Sequence, residues 1–372
     1  MIPIIRPDLT FDEVADELKA VIDSGWLTTG PKVVEFEMMI AERVGVRHAI
    51  ATTSATTALH LVLAAAGIGA GDEVLVSDFS FPASANAIVQ TGAVPVFVDC
   101  RPGAFDLDPE DASAKVTART KAIMPVHPFG MPADIKALVA LGEKHGLLVV
   151  EDAACAIGGA RDGIACGGGP GAGCFSFHPR KLITTGEGGA VTTDDDTLAA
   201  RMRLLRSHGG QTGPAVGLEF VENGYNYRMS EVQAVLGLAQ MRRLDAILAD
   251  RRATAARYRE RLAGVNGIAM PQFDIPGEGT FQSFVILLDD GIDRDGLVKH
   301  LRADGVETTL GTYAQHAHPA FARFGYQPGD LPHSWRAQRQ SLTLPLLPRM
   351  AEEQIEIVTH VLVGALNADC HR

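Results

Sequence analysis

Between residues 48 and 193 the chain repeats one pattern: a short apolar run, then a stretch with helical spacing. The runs are "HAIA" (48–51), "EVLVS" (73–77), "VPVFVD" (94–99), "AIMPV" (122–126), "LLVVED" (147–152), "CFSF" (174–177) and "AVTT" (190–193). Helical stretches such as "MPADIKALVALGEKHG" and "DDTLAARMRLLRSHG" separate several of them. A strand that is apolar throughout is buried on both faces, and helices between such strands supply the cover. The pattern predicts an α/β fold: a large domain with a mostly parallel seven-stranded sheet covered by helices. After residue 265 come a strand ("SFVILL"), a helix ("RDGLVKHLRADG"), another strand and a last helix ("AEEQIEIVTHVLVGAL"). They predict a smaller C-terminal α/β domain, as expected for 372 residues, more than one ordinary core. We place the large domain, N-terminal helix included, at 1–250 and the small one at 251–372.

At the N-terminus, "TFDEVADELKAVIDSG" has capping-box spacing at Thr10 and Glu13 and stops at Gly25. "SEVQAVLGLAQMRRLDAILADRRATAARYRERLAG" reads as one long helix, capped by Ser230 with Gln233 at the third position. Its mixed charges read as a solvated face. The formal net charge of −12 has the wrong sign for a nucleic-acid partner. The longest nearly apolar run, "ALHLVLAAAGIGA" (58–70), is too short to span a bilayer. No basic segment followed by an apolar one opens the sequence, so no leader is expected. The cysteines Cys100, Cys155, Cys166, Cys174 and Cys370 form no C-x-x-C. They read as reduced thiols of a cytoplasmic protein, without a metal framework.

Ligands of a parallel sheet bind beyond the carboxyl ends of its strands, so the polar residues there are the candidates. Ser54 and Thr56 follow the first run, Asp78 to Phe81 the second, Asp152 closes the fifth, and His178 and Lys181 follow the sixth. "ATTSATTALHLVLAAAG" puts hydroxyl and small residues at a helix start. That is either a phosphate site or a plain N-cap. Neither G-x-x-x-x-G-K-[ST] nor G-x-G-x-x-G occurs there. Glu151 and Asp152 are neighbours in a strand, point to opposite faces, and form no dyad. From Gly158 to Gly189, eleven of thirty-two residues are glycine, which predicts tight turns and close backbone approach. Lys181 stands within that stretch. A lysine in a buried, small-residue setting can be neutral enough to attack a carbonyl. A lysine, a strand-end acid, a phosphate cup and an aromatic pair (Phe79, Phe81) are together what pyridoxal phosphate (PLP) needs.

Several stretches resemble the DegT/DnrJ/StrS family of PLP-dependent sugar aminotransferases, which have the aspartate-aminotransferase fold, fold type I. They are "SGWLTTGPKVVEFE" (24–37), "TSATTALHL" (53–61), "DFSFPASANAI" (78–88), "GAVPVFVD" (92–99), "VHPFGMPAD" (126–134), "VVEDAACAIG" (149–158), "GCFSFHPRKLITTGEGG" (173–189), "LLRSHG" (204–209) and "GYNYRMSEVQAVLGLAQM" (224–241). The resemblance implies that Lys181 is the Schiff-base lysine and Asp152 the partner of the pyridine nitrogen. It implies that Ala55, Thr56 and Ser176 hold the phosphate and Phe81 stacks on the ring, with Phe79 structural. Asn226 would reach the phosphate of a neighbouring subunit, giving a homodimer with shared sites. His178 falls beside the site, as a cofactor or substrate contact or as a structural histidine. Two residues depart from the family pattern: Cys155 stands where glutamine is usual beside the ring hydroxyl, and Leu182 where asparagine often follows the lysine.

The implied activity moves an amino group from glutamate or glutamine to a keto-sugar, a nucleotide-linked 4-keto-6-deoxyhexose foremost. A ketocyclitol is the alternative acceptor. A sugar dehydratase would carry histidine in place of Lys181, and a non-catalytic regulator would leave glutamate unused. Arg228, Arg206, His208 and Lys32 are candidate cations for the substrates. The 209–224 segment reads as a mobile loop near the substrate mouth, and the 310–321 segment with Tyr313 and His316 as another wall; loop packing is an equally good account of each.

Overall fold

The computed structural model describes residues 1–212, 217–272 and 278–369. All seven expected strands are present: β1 (His48–Thr52), β2 (Glu73–Ser77), β3 (Val94–Val98), β4 (Thr120–Met124), β5 (Leu148–Asp152), β6 (Ala172–Ser176) and β7 (Gly189–Thr193). They form one sheet in the order β1-β7-β6-β5-β4-β2-β3. From β6 to β3 every pairing is parallel. Strand β7 alone runs antiparallel, to both of its neighbours. The reason lies in the connection before it: residues 177–188 contain no helix, so the chain turns back instead of crossing over. That return carries Lys181. It also sets Gly189 opposite Ser176 on one side and Thr52 on the other.

Helices α1 (Ala15–Ser24), α2 (Pro31–Val44), α3 (Ala55–Ala65), α4 (Ala83–Gln90), α5 (Ile135–His145) and α6 (Asp196–Arg206) surround the sheet. On one face Leu59, Val62, Ile88 and Met202 pack against Ile50, Val76, Met124 and Val191. On the other, Phe36 and Ile40 meet Ala51, Phe175 and Ala190, and Leu138 meets Leu75 and Ile123. Both faces are thus covered, which is why the strands read as continuous apolar runs.

Two expectations about helices change. The first helix begins at Ala15, although Glu13 does accept from both the N–H and the hydroxyl of Thr10, at 2.7 and 2.9 Å. The long helix after residue 229 is two: α7 (Glu231–Met241) and α8 (Leu244–Leu262). The break is at Arg243, whose φ of −121° is not helical and whose guanidinium pairs with Asp8 and Glu13. Nor is α8 wholly solvated. Arg251 is buried and donates to the carbonyls of Phe281 and Gln282 at 2.9 and 2.6 Å. Burial lowers its pKa to about 10, still a cation at neutral pH.

A second sheet follows, with β8 (Ile268–Ala269), β9 (Phe284–Leu288), β10 (Thr309–Leu310) and β11 (Ser341–Leu344) in the order β8-β9-β11-β10. Tyr258 of α8 and Ile355 and Leu362 of α9 (Glu352–Asp369) pack with Phe284 and Leu342 into a separate core, joined by Ile2. The middle of the expected loop at 209–224, residues 213–216, lies outside the described residues, as does Cys370. Its flanks, Gly210–Thr212 and Leu218–Phe220, pair as an antiparallel hairpin.

His316 is a buried tie and not a wall of the substrate mouth. Its N–H and its Nδ1 both meet the Asp78 carboxylate, at 2.7 and 2.6 Å, and Nε2 faces the Pro328 carbonyl at 3.3 Å. With acceptors at both ring nitrogens the ring carries two protons. Burial works against that charge and Asp78 outweighs it, so the histidine pKa is raised. Burial likewise raises Asp78, with His316 opposing. A raised histidine pKa contributes stability in full below about pH 6.5, and that stability fades as pH rises through the folded value. His316→Gln is expected to lower the unfolding free energy by about 3–5 kcal/mol at pH 6. In urea titrations the gap to the native protein should narrow at higher pH.

Candidate active site

The first part of the site is the start of α3. Ser54 Oγ accepts from the Thr57 N–H at 3.1 Å, and Thr57 Oγ1 accepts from the Ser54 N–H at 3.0 Å, a reciprocal cap. The cap leaves the N–H groups of Ala55 and Thr56 at the positive end of the helix, where an anion is favoured. Gly189 closes in from behind: a Cβ there would lie 2.6 Å from Ala55 N and 2.4 Å from the Ser54 carbonyl carbon. The Thr53 N–H donates to the Tyr227 carbonyl at 3.1 Å, tying "GYNYRMSE" to the same cup. Ser176, buried, lies beside Gly189.

The second part is Asp152, at the carboxyl end of β5 and 5% exposed. Oδ2 accepts from Ser84 Oγ at 2.7 Å and Oδ1 from the Ala154 N–H at 3.2 Å. Among the described residues no cation pairs with it. Burying a carboxylate with two hydrogen bonds and no counter-charge is costly. Its neighbour Glu151 faces the other way, as alternation requires. Glu151 accepts from the N–H groups of Gly167 and Gly169, each at 2.9 Å, and pairs with His127 Nε2 at 2.8 Å. The Ala133 N–H approaches His127 Nδ1 at 3.0 Å, which leaves Nε2 to face Glu151. Two glycines of the stretch serve this structural acid, and others serve close backbone packing. A Cβ on Gly169 would lie 2.6 Å from Glu151 Oε1, one on Gly171 1.9 Å from the Val149 carbonyl, and one on Gly173 2.2 Å from Gly167 Cα. These contacts are the close backbone approach that the glycine density predicted.

The third part is the return holding Lys181, whose side chain is half-buried and donates to Cys155 Sγ at 3.1 Å. Cys155 lies one turn past Asp152, so acid, thiol and amine share one rim. Leu182 and Ile183 are buried in the core. Leu182 therefore anchors the loop from below, which explains an apolar residue there. Gln240 of α7, fully buried, clamps Thr184: its Oε1 accepts from the Thr184 N–H at 3.0 Å and its Nε2 donates to the Thr184 carbonyl at 2.6 Å. Gln282 Nε2 donates to the Arg180 carbonyl at 2.7 Å, and Thr280 Oγ1 to the Cys155 carbonyl at 2.8 Å. Sequence reasoning passed over Ser84, Gln240, Thr280 and Gln282. Gln240 had a signal, a lone amide on an apolar helical face; the others had none.

Around these parts, Phe81 is 64% exposed beside Tyr313, ring centroids 6.3 Å apart. Phe79 is buried against Phe105 and Phe129, as a structural residue should be. His178 is partly exposed, accepts from the Arg180 N–H at 3.1 Å through Nδ1, and turns Nε2 towards Glu187 at 3.9 Å. Asn226 is exposed. Of the candidate cations, Arg206 is committed to Glu37 at 2.6 Å and the Ala51 carbonyl at 2.8 Å. Lys32 is committed to Glu17 and Glu35 at 2.7 and 3.0 Å. Arg228 touches only a hydroxyl, Ser207 Oγ at 3.2 Å, and has no carboxylate partner among the described residues. His208 is exposed, in the left-handed region with φ 64°.

The residues fit PLP: a buried carboxyl group with no cation partner among the described residues, an amine on the same rim, an open helix start and an exposed aromatic ring. Fold and site define a PLP-dependent transferase of the aminotransferase kind. The sequence profile of the DegT/DnrJ/EryC1/StrS aminotransferase family matches residues 10–363, and the chain belongs to that family. GDP-perosamine synthase of Caulobacter vibrioides is 39% identical over 365 residues, covering 97% of each chain. Among solved structures, a sugar aminotransferase of Streptococcus pneumoniae in its PLP form aligns with a TM-score of 0.93 at 26% identity, over 99% of each chain. DesI, solved with its TDP-sugar product, aligns with a TM-score of 0.89 at 34% identity, over 100% of this chain and 96% of the other. The protein is an aminotransferase, and its cofactor is pyridoxal phosphate.

Removing the clamp tests how the lysine is held. Gln240→Ala strands a buried N–H and a buried carbonyl of Thr184. Urea melts should show a loss of about 1–3 kcal/mol. Limited proteolysis should cut faster between Phe177 and Thr185.

Proposed function

We propose that the chain moves an amino group from glutamate or glutamine onto a nucleotide-linked 4-keto-6-deoxyhexose, a step of amino-sugar biosynthesis. The observation that carries this reading is Asp152, a buried carboxylate with no cation partner among the described residues, on the rim shared with Lys181 and the start of α3. The sugar side is supported by the relatives, one named for a GDP-sugar and one solved with a TDP-sugar.

In this reading the N–H of Ala55, the N–H and hydroxyl of Thr56 and the hydroxyl of Ser176 hold the phosphate, and Phe81 covers one ring face. Bound there, the cofactor supplies an aldehyde that exchanges amino groups and a ring that accepts electrons from a broken Cα–H bond. Asp152 keeps the ring nitrogen protonated, because a buried anion favours the neighbouring cation. Lys181 Nζ carries the proton away from the substrate carbon and returns it. Arg228 receives the donor carboxylate, and Tyr313 lines the mouth. Asn226 reaches a neighbouring subunit, which makes the working form a homodimer. Phe11, Ile22, Trp26, Leu27, Val34 and Met38 support this, since apolar side chains so exposed suggest a covered face. A cytoplasmic setting is supported by four unbridged cysteines among the described residues. No described helix is long and apolar enough to cross a membrane.

Cofactor-loaded protein mixed with glutamate, or with glutamine, should lose its aldehyde absorbance. One nucleotide-linked keto-sugar from a panel should restore it. Restoration by a ketocyclitol alone would overturn the sugar assignment. Lys181→Ala should bind the cofactor without a covalent bond and lose turnover. Asp152→Asn should slow both half-reactions by about 100-fold or more. Light scattering should give twice the 39.5 kDa chain mass. Paired changes Trp26→Asp and Leu27→Asp should give monomers.

A further inference from the structure

Cys155 is the feature that the aminotransfer chemistry does not require. Its sulfur lies 3.1 Å from Lys181 Nζ, and its carbonyl is held by Thr280 Oγ1 at 2.8 Å. The contact joins a nucleophilic amine to an oxidisable atom. Four single bonds of the lysine side chain let the two approach further. The other described cysteines, Cys100, Cys166 and Cys174, are buried; Cys155 is half-buried, so a small oxidant reaches it. Burial also raises the thiol pKa of Cys100 and Cys174, which leaves them inert.

We propose that Cys155 and Lys181 form a peroxide-sensitive pair whose sulfur and nitrogen become covalently joined when the cofactor is absent. The functional consequence rests on Lys181 being the cofactor lysine; the bond itself does not. In the first step the thiol is oxidised by a hydroperoxide: sulfur gives two electrons, takes up one oxygen as sulfenic acid, and the peroxide leaves as water. In the second step Lys181 Nζ attacks that sulfur. An S–N bond forms, the S–O bond breaks, and the hydroxyl departs as water with a proton from the amine. The amine is then blocked. Excess thiol reverses the link: it attacks the sulfur, frees the lysine, and a second thiol restores Cys155. Bound cofactor occupies the same amine and protects it.

The test uses the full chain, stripped of cofactor or loaded with it, and treated with dilute hydrogen peroxide in mildly alkaline buffer. Intact mass of the stripped protein should fall by about 2 Da, the two hydrogens lost on linkage. Peptide mapping should find the Cys155 and Lys181 peptides joined. The treated protein should no longer gain the absorbance of covalently bound PLP, and dithiothreitol should restore both mass and uptake. Loaded protein should keep its mass. Cys155→Ser should bind the cofactor and resist peroxide. Addition of one or two oxygens at Cys155 with Lys181 free would overturn the proposal, as would linkage in Cys155→Ser. Should the mass fall while untreated protein fails to take up PLP covalently, the link stands and the cofactor assignment falls.

Discussion

A carboxylate buried without its counter-charge is the constraint on which this molecule turns. Asp152 ends a strand that is covered on both faces, and its two oxygens receive one hydroxyl and one N–H. That is less than a desolvated anion needs. In the proposed reading the cofactor's cation makes up that deficit. Cofactor binding then adds to fold stability, since whatever binds the folded state alone stabilises it by mass action.

The rest of the site is arranged around that acid by the one irregularity of the sheet. Strand β7 returns antiparallel because no helix precedes it, and the return itself presents the lysine. Three separate supports hold the return in place. Leu182 and Ile183 sink into the core, Gln240 pins Thr184 from α7, and Gln282 pins Arg180 from the segment leading to the second sheet. Thr280 holds Cys155 from the same segment. An amine on an unsupported loop would sample many positions; here its backbone is fixed by two buried amides and two core side chains.

Adjacent acids show how alternation divides labour. Glu151 and Asp152 differ by one residue and by everything in environment. Glu151 faces a buried histidine and two glycine N–H groups behind the sheet, and fixes a turn. Asp152 faces the rim and fixes nothing but Ser84 and its own turn. Close approach also accounts for three of the glycines nearby: Gly169 is small because Glu151 comes so close, Gly171 because the Val149 carbonyl does, and Gly173 because the Gly167 backbone does.

How much was legible follows from the range of each interaction. Period and composition are local properties, so the seven strands, the covered sheet, the cap at Ser54, the cap at Ser230 and the opposite facing of Glu151 and Asp152 could all be read along the chain. The lysine, the acid and the aromatic pair stood out as candidates because their chemistry is uncommon in that combination. Other assignments depended on atoms far apart in sequence. His316 read as a substrate wall or as loop packing, and Asp78, 238 residues away, decides for packing. Arg206 read as a free cation until Glu37 and Ala51 were found on it. The helix break at Arg243 depends on Asp8, and the contact between Cys155 and Lys181 on a crossover between two strand ends. The sequence by itself determined the layers of the fold and the kinds of group at the strand ends, because backbone periodicity and burial are decided by neighbours. Only the tertiary structure decided which of those groups are left free to react, because a polar side chain is spent or spare according to partners that the chain brings in from hundreds of residues away.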